Sequence, residues 1–156
     1  MAVEYPVLAI LASIFFIAIV FSSLYLYLYI VSEVNRIPVV GGYAVVEVVK
    51  KTNSSWNVTV WRVNVTVRHE RGEVVVLQRL VLVTEKGTIT IDSFPYSSGE
   101  VVVNLRGGLS DRALLPGSTG QVVVELPQEE YLVSNKTYAG WVEFDKGTLL
   151  FSFTTP

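Results

Sequence analysis

Four asparagines stand in the pattern that accepts an N-linked glycan: Asn53-Ser54-Ser55, Asn57-Val58-Thr59, Asn64-Val65-Thr66 and Asn135-Lys136-Thr137. The chemistry needs a carboxamide nitrogen with a hydroxyl two residues on. Its product is a bulky, solvated group that belongs on a surface outside the cytoplasm. The chain holds six asparagines in all, so four in this setting exceed what chance supplies. A second source of the pattern stays open, because Asn and Thr two apart also share one face of a strand.

Other chemistry is thinly provided. His69, the single histidine, sits between Arg68 and Glu70 at the end of a strand-like run. It reads as exposed and structurally idle rather than as a general base. There is no cysteine, so no thiolate nucleophile, thiolate ligand or disulfide. Asp92, Asp111 and Asp145 are isolated in sequence, and neither a carboxylate pair nor a calcium loop is visible. Gly107-Gly108 lacks the Lys, the Ser/Thr and the strand–helix setting of a phosphate loop. The chain therefore reads as no enzyme, with no cofactor and no metal. Its 12 basic and 14 acidic residues are scattered, so no nucleic-acid partner is indicated.

The elements that must carry the asparagines are of two kinds. Val7 to Val31 is a run of 25 residues without a charge. As a helix it would span about 37 Å at ~1.5 Å per residue, against a hydrocarbon core of about 30 Å. Tyr25, Tyr27 and Tyr29 alternate with Leu, a strand period, but the run is too long for a strand and has no turn residues. On a helix, Tyr25 and Tyr29 share a face and Tyr27 opposes them, as in an aromatic belt at a membrane surface. The helix is expected to begin at Pro6 and to end near Asn35–Pro38.

The run is too long for a signal peptide, and no Lys or Arg precedes it. The helix is therefore expected to stay in the mature protein, and the missing basic leader leaves two readings. Met1 is either the start codon or the first residue after cleavage of a leader. Small residues are read along one side, Ala9 with Ser13 and Ala18 with Ser22, each pair four apart. Such spacing permits close helix packing, though a lone spanning helix also tolerates it. Glu4 has two readings as well. It could rest among headgroups and favour the helix N-terminus, or pair with the terminal amine of a neighbouring helix and set registry.

Residues 1–38 thus form the hydrophobic helix, and 39–156 a single globular domain long enough to bury its own core. Its short, Val-rich runs are separated by "KKTNSS", "ERGE", "EKGT", "FPYSSG", "RGGLSD", "LPGSTG" and "DKGT". Strands are expected at 43–51, 55–69, 73–84, 88–91, 100–105, 121–126, 137–145 and 148–154. Many short strands with regular turns point to an antiparallel all-β sandwich of immunoglobulin-like type. The apolar phase flips between Val60 and Trp61, so a bulge is expected there. Lys146-Gly147 is expected to turn a tight hairpin. The run "EVVVLQRLVLV" is apolar on both sides of Gln78-Arg79. It reads either as a strand buried in one sandwich or as one whose outer face meets another subunit. The scarcity of Gln and Met, with abundant Val, fits a hot, oxidation-resistant lifestyle.

A retained apolar helix followed by a cysteine-free, sequon-bearing β-sandwich resembles archaeal type IV pilins and archaellins. The resemblance lies in "MAVEYPVLAILASIFFIAIVFSSLYLYLYIV" and in the closing segments "LLPGSTGQVVVELP", "NKTYAGWVEF" and "GTLLFSFTTP". It implies a leader cleaved just before Met1 by a processing peptidase. It also implies a helix that crosses the membrane before assembly and then packs with its copies in a filament core. The sandwich would face outward with its glycans, and a pilus assembly machinery would be a partner. The family's bacterial branch has Glu at the fifth mature position, whereas this chain has Glu4 followed by Tyr5. Membrane-anchored accessory proteins of the archaellum share the architecture, and for them the sandwich would be a stator or surface-layer-binding part.

Overall fold

A computed structural model describes residues 4–53 and 56–156. It divides into two compact units, Met1–Ile37 and Pro38–Pro156.

The first unit is one helix, α1, Glu4–Arg36. It starts two residues before Pro6, which lies in the first turn. There a missing N–H costs little, since the first four N–H groups of a helix have no partner within it. The helix stops where Pro38 forbids the helical region to the residue before it. Glu33 and Arg36 pair at 3.3 Å across one turn, both exposed. No described residue of α1 is buried within the chain, and apolar side chains lie nearly all round its axis.

The second unit is a sandwich of two antiparallel sheets. Its strands are β1 Val39–Asn53, β2 Trp56–Arg71, β3 Val75–Thr84, β4 Gly87–Ile91, β5 Tyr96–Ser98, β6 Val101–Gly107, β7 Ala113–Leu114, β8 Thr119–Pro127, β9 Thr137–Phe144 and β10 Gly147–Thr154. One sheet runs β1-β2-β8-β6-β5 and the other β10-β9-β3-β4, with β7 paired to β3. Alternation builds the core from both inner faces. Trp61, Val63, Val65 and Val67 of β2 point inward with Val122, Val124 and Leu126 of β8. They meet Leu77, Leu80 and Leu82 of β3, Val142 and Phe144 of β9, and Leu149, Phe151 and Phe153 of β10. Within the second sheet the neighbouring strands crowd Gly140 of β9: a Cβ there would stand 2.5 Å from the Val81 carbonyl oxygen of β3 and 2.7 Å from the Phe151 ring of β10.

Two local expectations are corrected. No bulge separates Val60 from Trp61: β2 pairs in unbroken register there with both β1 and β8. A bulge in this central strand would break two ladders. The phase flip is real instead, with Trp61 buried in the core while Val58 faces solvent. The described irregularities lie at Val39/Val40 of β1 and between Leu77 and Arg79 of β3. In β3 the Arg112 guanidinium donates to the Leu77 carbonyl at 3.1 and 3.0 Å, satisfying an acceptor that the disturbed ladder leaves. The β9–β10 hairpin turns on Asp145-Lys146, one residue earlier than expected, because Gly147 already pairs with Phe144. Asp145 fixes that turn by accepting from the Val76 amide at 2.9 Å.

Candidate functional site

The helix carries its candidate packing residues on a continuous axis, which alters their relation. Ala9 and Ser13 share a face, and so do Ala18 and Ser22. At 3.6 residues per turn, however, nine residues rotate the second pair roughly 180° from the first. The two pairs therefore face opposite sides rather than one, and a single neighbouring helix cannot meet both. The Ser13 hydroxyl donates to the Ala9 carbonyl at 2.8 Å, so its polar hydrogen is satisfied within the helix. Glu4 is exposed in the first turn. Tyr25, Tyr27 and Tyr29 are all exposed.

The four asparagines fall in different settings. Asn53 ends β1 and Asn57 lies near the start of β2; their side chains, and Ser54 and Ser55, lie outside the described residues. Asn64 is in the middle of β2, between Val45 of β1 and Val123 of β8. It points to the outer face and is half-buried; its Oδ1 is shut off from solvent without a hydrogen-bond partner. Asn135 is exposed in the loop before β9, at φ 59°, a left-handed conformation that asparagine tolerates better than most residues. The fold thus separates two tripeptides that look alike in sequence.

His69 is not exposed. It is fully buried at the end of β2, with its Nε2 2.6 Å from the Glu73 carbonyl oxygen. A carbonyl accepts only, so Nε2 is the donor, and Nδ1 is buried with no hydrogen-bond partner. Its backbone also bonds the 117–118 turn, with its N–H to the Ser118 carbonyl and its C=O from the Gly117 amide. The residue is a tie between two loops. Sequence reasoning placed it outside because nothing in "VRHER" shows that the Glu73 and Ser118 loops close over it.

Charge on the sandwich is organised in small clusters that sequence spacing does not show. Glu125, on the outer face of β8, accepts from Lys51 of β1 and from Arg62 of β2, whose Nη2 is 3.1 Å away. Burial alone would raise the Glu125 carboxyl, but these two cations outweigh it and hold it below the ordinary carboxylate range. At one end of the sandwich Glu85 accepts from Lys136 and from the Tyr138 hydroxyl, which lowers its carboxyl likewise. On the outer face of the second sheet, Leu150 is 74% exposed opposite Trp141, whose indole N–H donates to Glu143 at 2.9 Å. Val81 of β3, paired with Trp141, is buried within the domain itself.

No family model matches the chain, and no curated protein matches it. Among solved structures it is similar to a chain described as "the archaeal flagellum of Methanospirillum hungatei strain JF1". That likeness covers 99% of this chain and 90% of that one, at 11% identity and a TM-score of 0.47. A likeness so distant indicates neither family nor function.

Proposed function

We propose that this chain is a structural subunit of an extracellular, type IV pilus-like filament of an archaeon. In this reading α1 crosses the plasma membrane before assembly and packs with its copies in the filament core afterwards, while the sandwich faces outward. The observation that carries the reading is the helix itself. Thirty-three residues are helical with no buried residue, about 50 Å of rod at ~1.5 Å per residue. A bilayer needs only about 30 Å of that. A helix apolar on every side must be covered on every side. Lipid covers it as a monomer; other copies cover it in a bundle, with small residues on opposite faces where two different neighbours can approach. A heterologous, non-closing contact between copies then gives a helical fibre.

The test is recovery. Filaments sheared from native cells should contain this chain as their main protein by mass spectrometry, and electron microscopy should show fibres that vanish when its gene is deleted. Finding the chain only as a dispersed membrane protein, with fibres unchanged on deletion, would sink the reading and favour a solitary anchor for an external accessory domain.

A further inference from the structure

We propose that Asn135 is an asparagine of the folded domain that accepts an N-linked glycan, and that Asn64, in the same tripeptide pattern, is not modified. The proposal rests on the reading that the sandwich lies outside the membrane, and it deepens that reading by assigning the modified surface.

A transferase must take hold of an acceptor tripeptide as a bent, separable stretch of chain. Its Asn carboxamide and the hydroxyl two residues on both have to be reachable. Asn135, Lys136 and Thr137 are all exposed. The chain is already bent there, with Asn135 in the left-handed region. The bend is held through its backbone, and the Lys136 ammonium pairs with Glu85. The Asn135 amide donates to the Pro156 carbonyl at 3.2 Å and the Thr155 amide donates to the Lys136 carbonyl at 3.0 Å. The Lys136 amide in turn donates to the Thr155 hydroxyl at 3.0 Å. Thr155 is itself buried, so Thr155 and Pro156 anchor the loop while Asn135 and Thr137 stay exposed. The Thr137 hydroxyl lies 2.9 Å from that of Thr154, an exposed and exchangeable partner.

Asn64 offers the opposite conditions. Its strand is central, with ladder partners on both sides through residues 63–67. Lifting the tripeptide into a bent form would break both ladders. Its carboxamide oxygen is closed off from solvent, and Thr66 is only half-exposed. The Asn64 tripeptide is therefore explained by strand alternation, and the Asn135 tripeptide by a presented loop.

The donor chemistry is an oligosaccharide linked through a phosphate to a lipid. The bond from the sugar C1 to the phosphate oxygen breaks and a C1–Nδ2 bond forms. Nδ2 loses one proton, and the lipid phosphate leaves with the electron pair.

Glycopeptide mass spectrometry on the full chain from native cells tests the assignment site by site, alongside Asn135→Gln, Thr137→Ala and Asn64→Gln variants. The expected result is occupancy at Asn135 and none at Asn64. Asn135→Gln and Thr137→Ala should each remove the mass of one glycan, and Asn64→Gln should leave the glycan mass unchanged. A glycan on Asn64 overturns the proposal. So does a bare Asn135, and protease added to intact cells separates the two causes. A domain that is cleaved yet bare at Asn135 sinks the acceptor assignment alone. A domain that is protected and bare sinks the external placement as well.

Discussion

The helix and the sandwich solve the same physical problem in opposite ways. In the sandwich, alternation gives each strand an apolar face, and two sheets bury those faces against each other within one chain. Val63, Val65, Val67, Leu77, Leu114, Leu126 and Val142 have no exposed surface at all. In α1 the apolar residues are more closely spaced but turn every way, and none is buried. Fully covering a large apolar side chain contributes about 1.5–3 kcal/mol, and the sandwich has already collected that stabilisation. The helix has not, and can collect it only from lipid or from other copies. Residues after Pro38 build a core within the chain, whereas the helix leaves its apolar surface for lipid or, in the proposed filament, for other copies.

The most drastic way to break this contrast is to remove one side of it. Deleting residues 1–36 should leave a soluble, monomeric β domain with the circular dichroism of the sandwich, and should abolish fibres completely. Sedimentation decides the matter: polymers of the truncated domain resembling those of the full chain would mean that the sandwich drives assembly. The converse break is Trp61→Ala, which empties the centre of the core. It should cost the isolated domain about 3–5 kcal/mol, read by denaturant titration, while membrane insertion of the full chain stays normal in flotation assays.

A smaller change sharpens the helix side. Ala9→Phe and Ser13→Leu add volume on one face, and overpacking typically costs about 1–3 kcal/mol per site. Repeated in every subunit, this should shorten or eliminate fibres without shifting the melting temperature of the sandwich. A lipid-facing anchor accepts both changes, so normal fibres from both variants would show that this face is unpacked. Because Ala18 and Ser22 face the other way, Ala18→Phe tests an independent contact.

The gentlest probe is electrostatic. Glu125→Gln in the isolated domain should cost about 1–2 kcal/mol, at the low end because Lys51 is half-exposed and screened. The folded Glu125 carboxyl lies below its ordinary value. Its contribution is therefore complete above the unfolded value, about 4.3, and is lost as the pH falls through the folded one. The difference in stability between the native domain and Glu125→Gln should narrow below about pH 4 and stay constant at neutral pH. A gap that widens in acid would refute the ion-pair account.

Much of this architecture was legible because it depends on periods and punctuation. An uncharged run of 25 residues determined a helix whatever surrounded it, and Pro38 determined where it stopped. Val-rich alternation between Gly-, Pro- and Ser-bearing turns determined the long strands and their inward faces, from Trp61 to Phe153. Tertiary structure alone decided what depends on distant partners. β5 and β7 span three and two residues, too short for any period, and exist because β6 and β3 offer them a ladder. The β3 irregularity at Gln78 rests on an arginine 34 positions away. His69 is buried because two loops meet over it. Asn64 and Asn135 share a tripeptide pattern, but one became the middle of a central strand and the other an anchored turn. Local pattern specifies an element because its energetics are local. The fate of a single polar side chain is decided by whichever chain segment folds back against it.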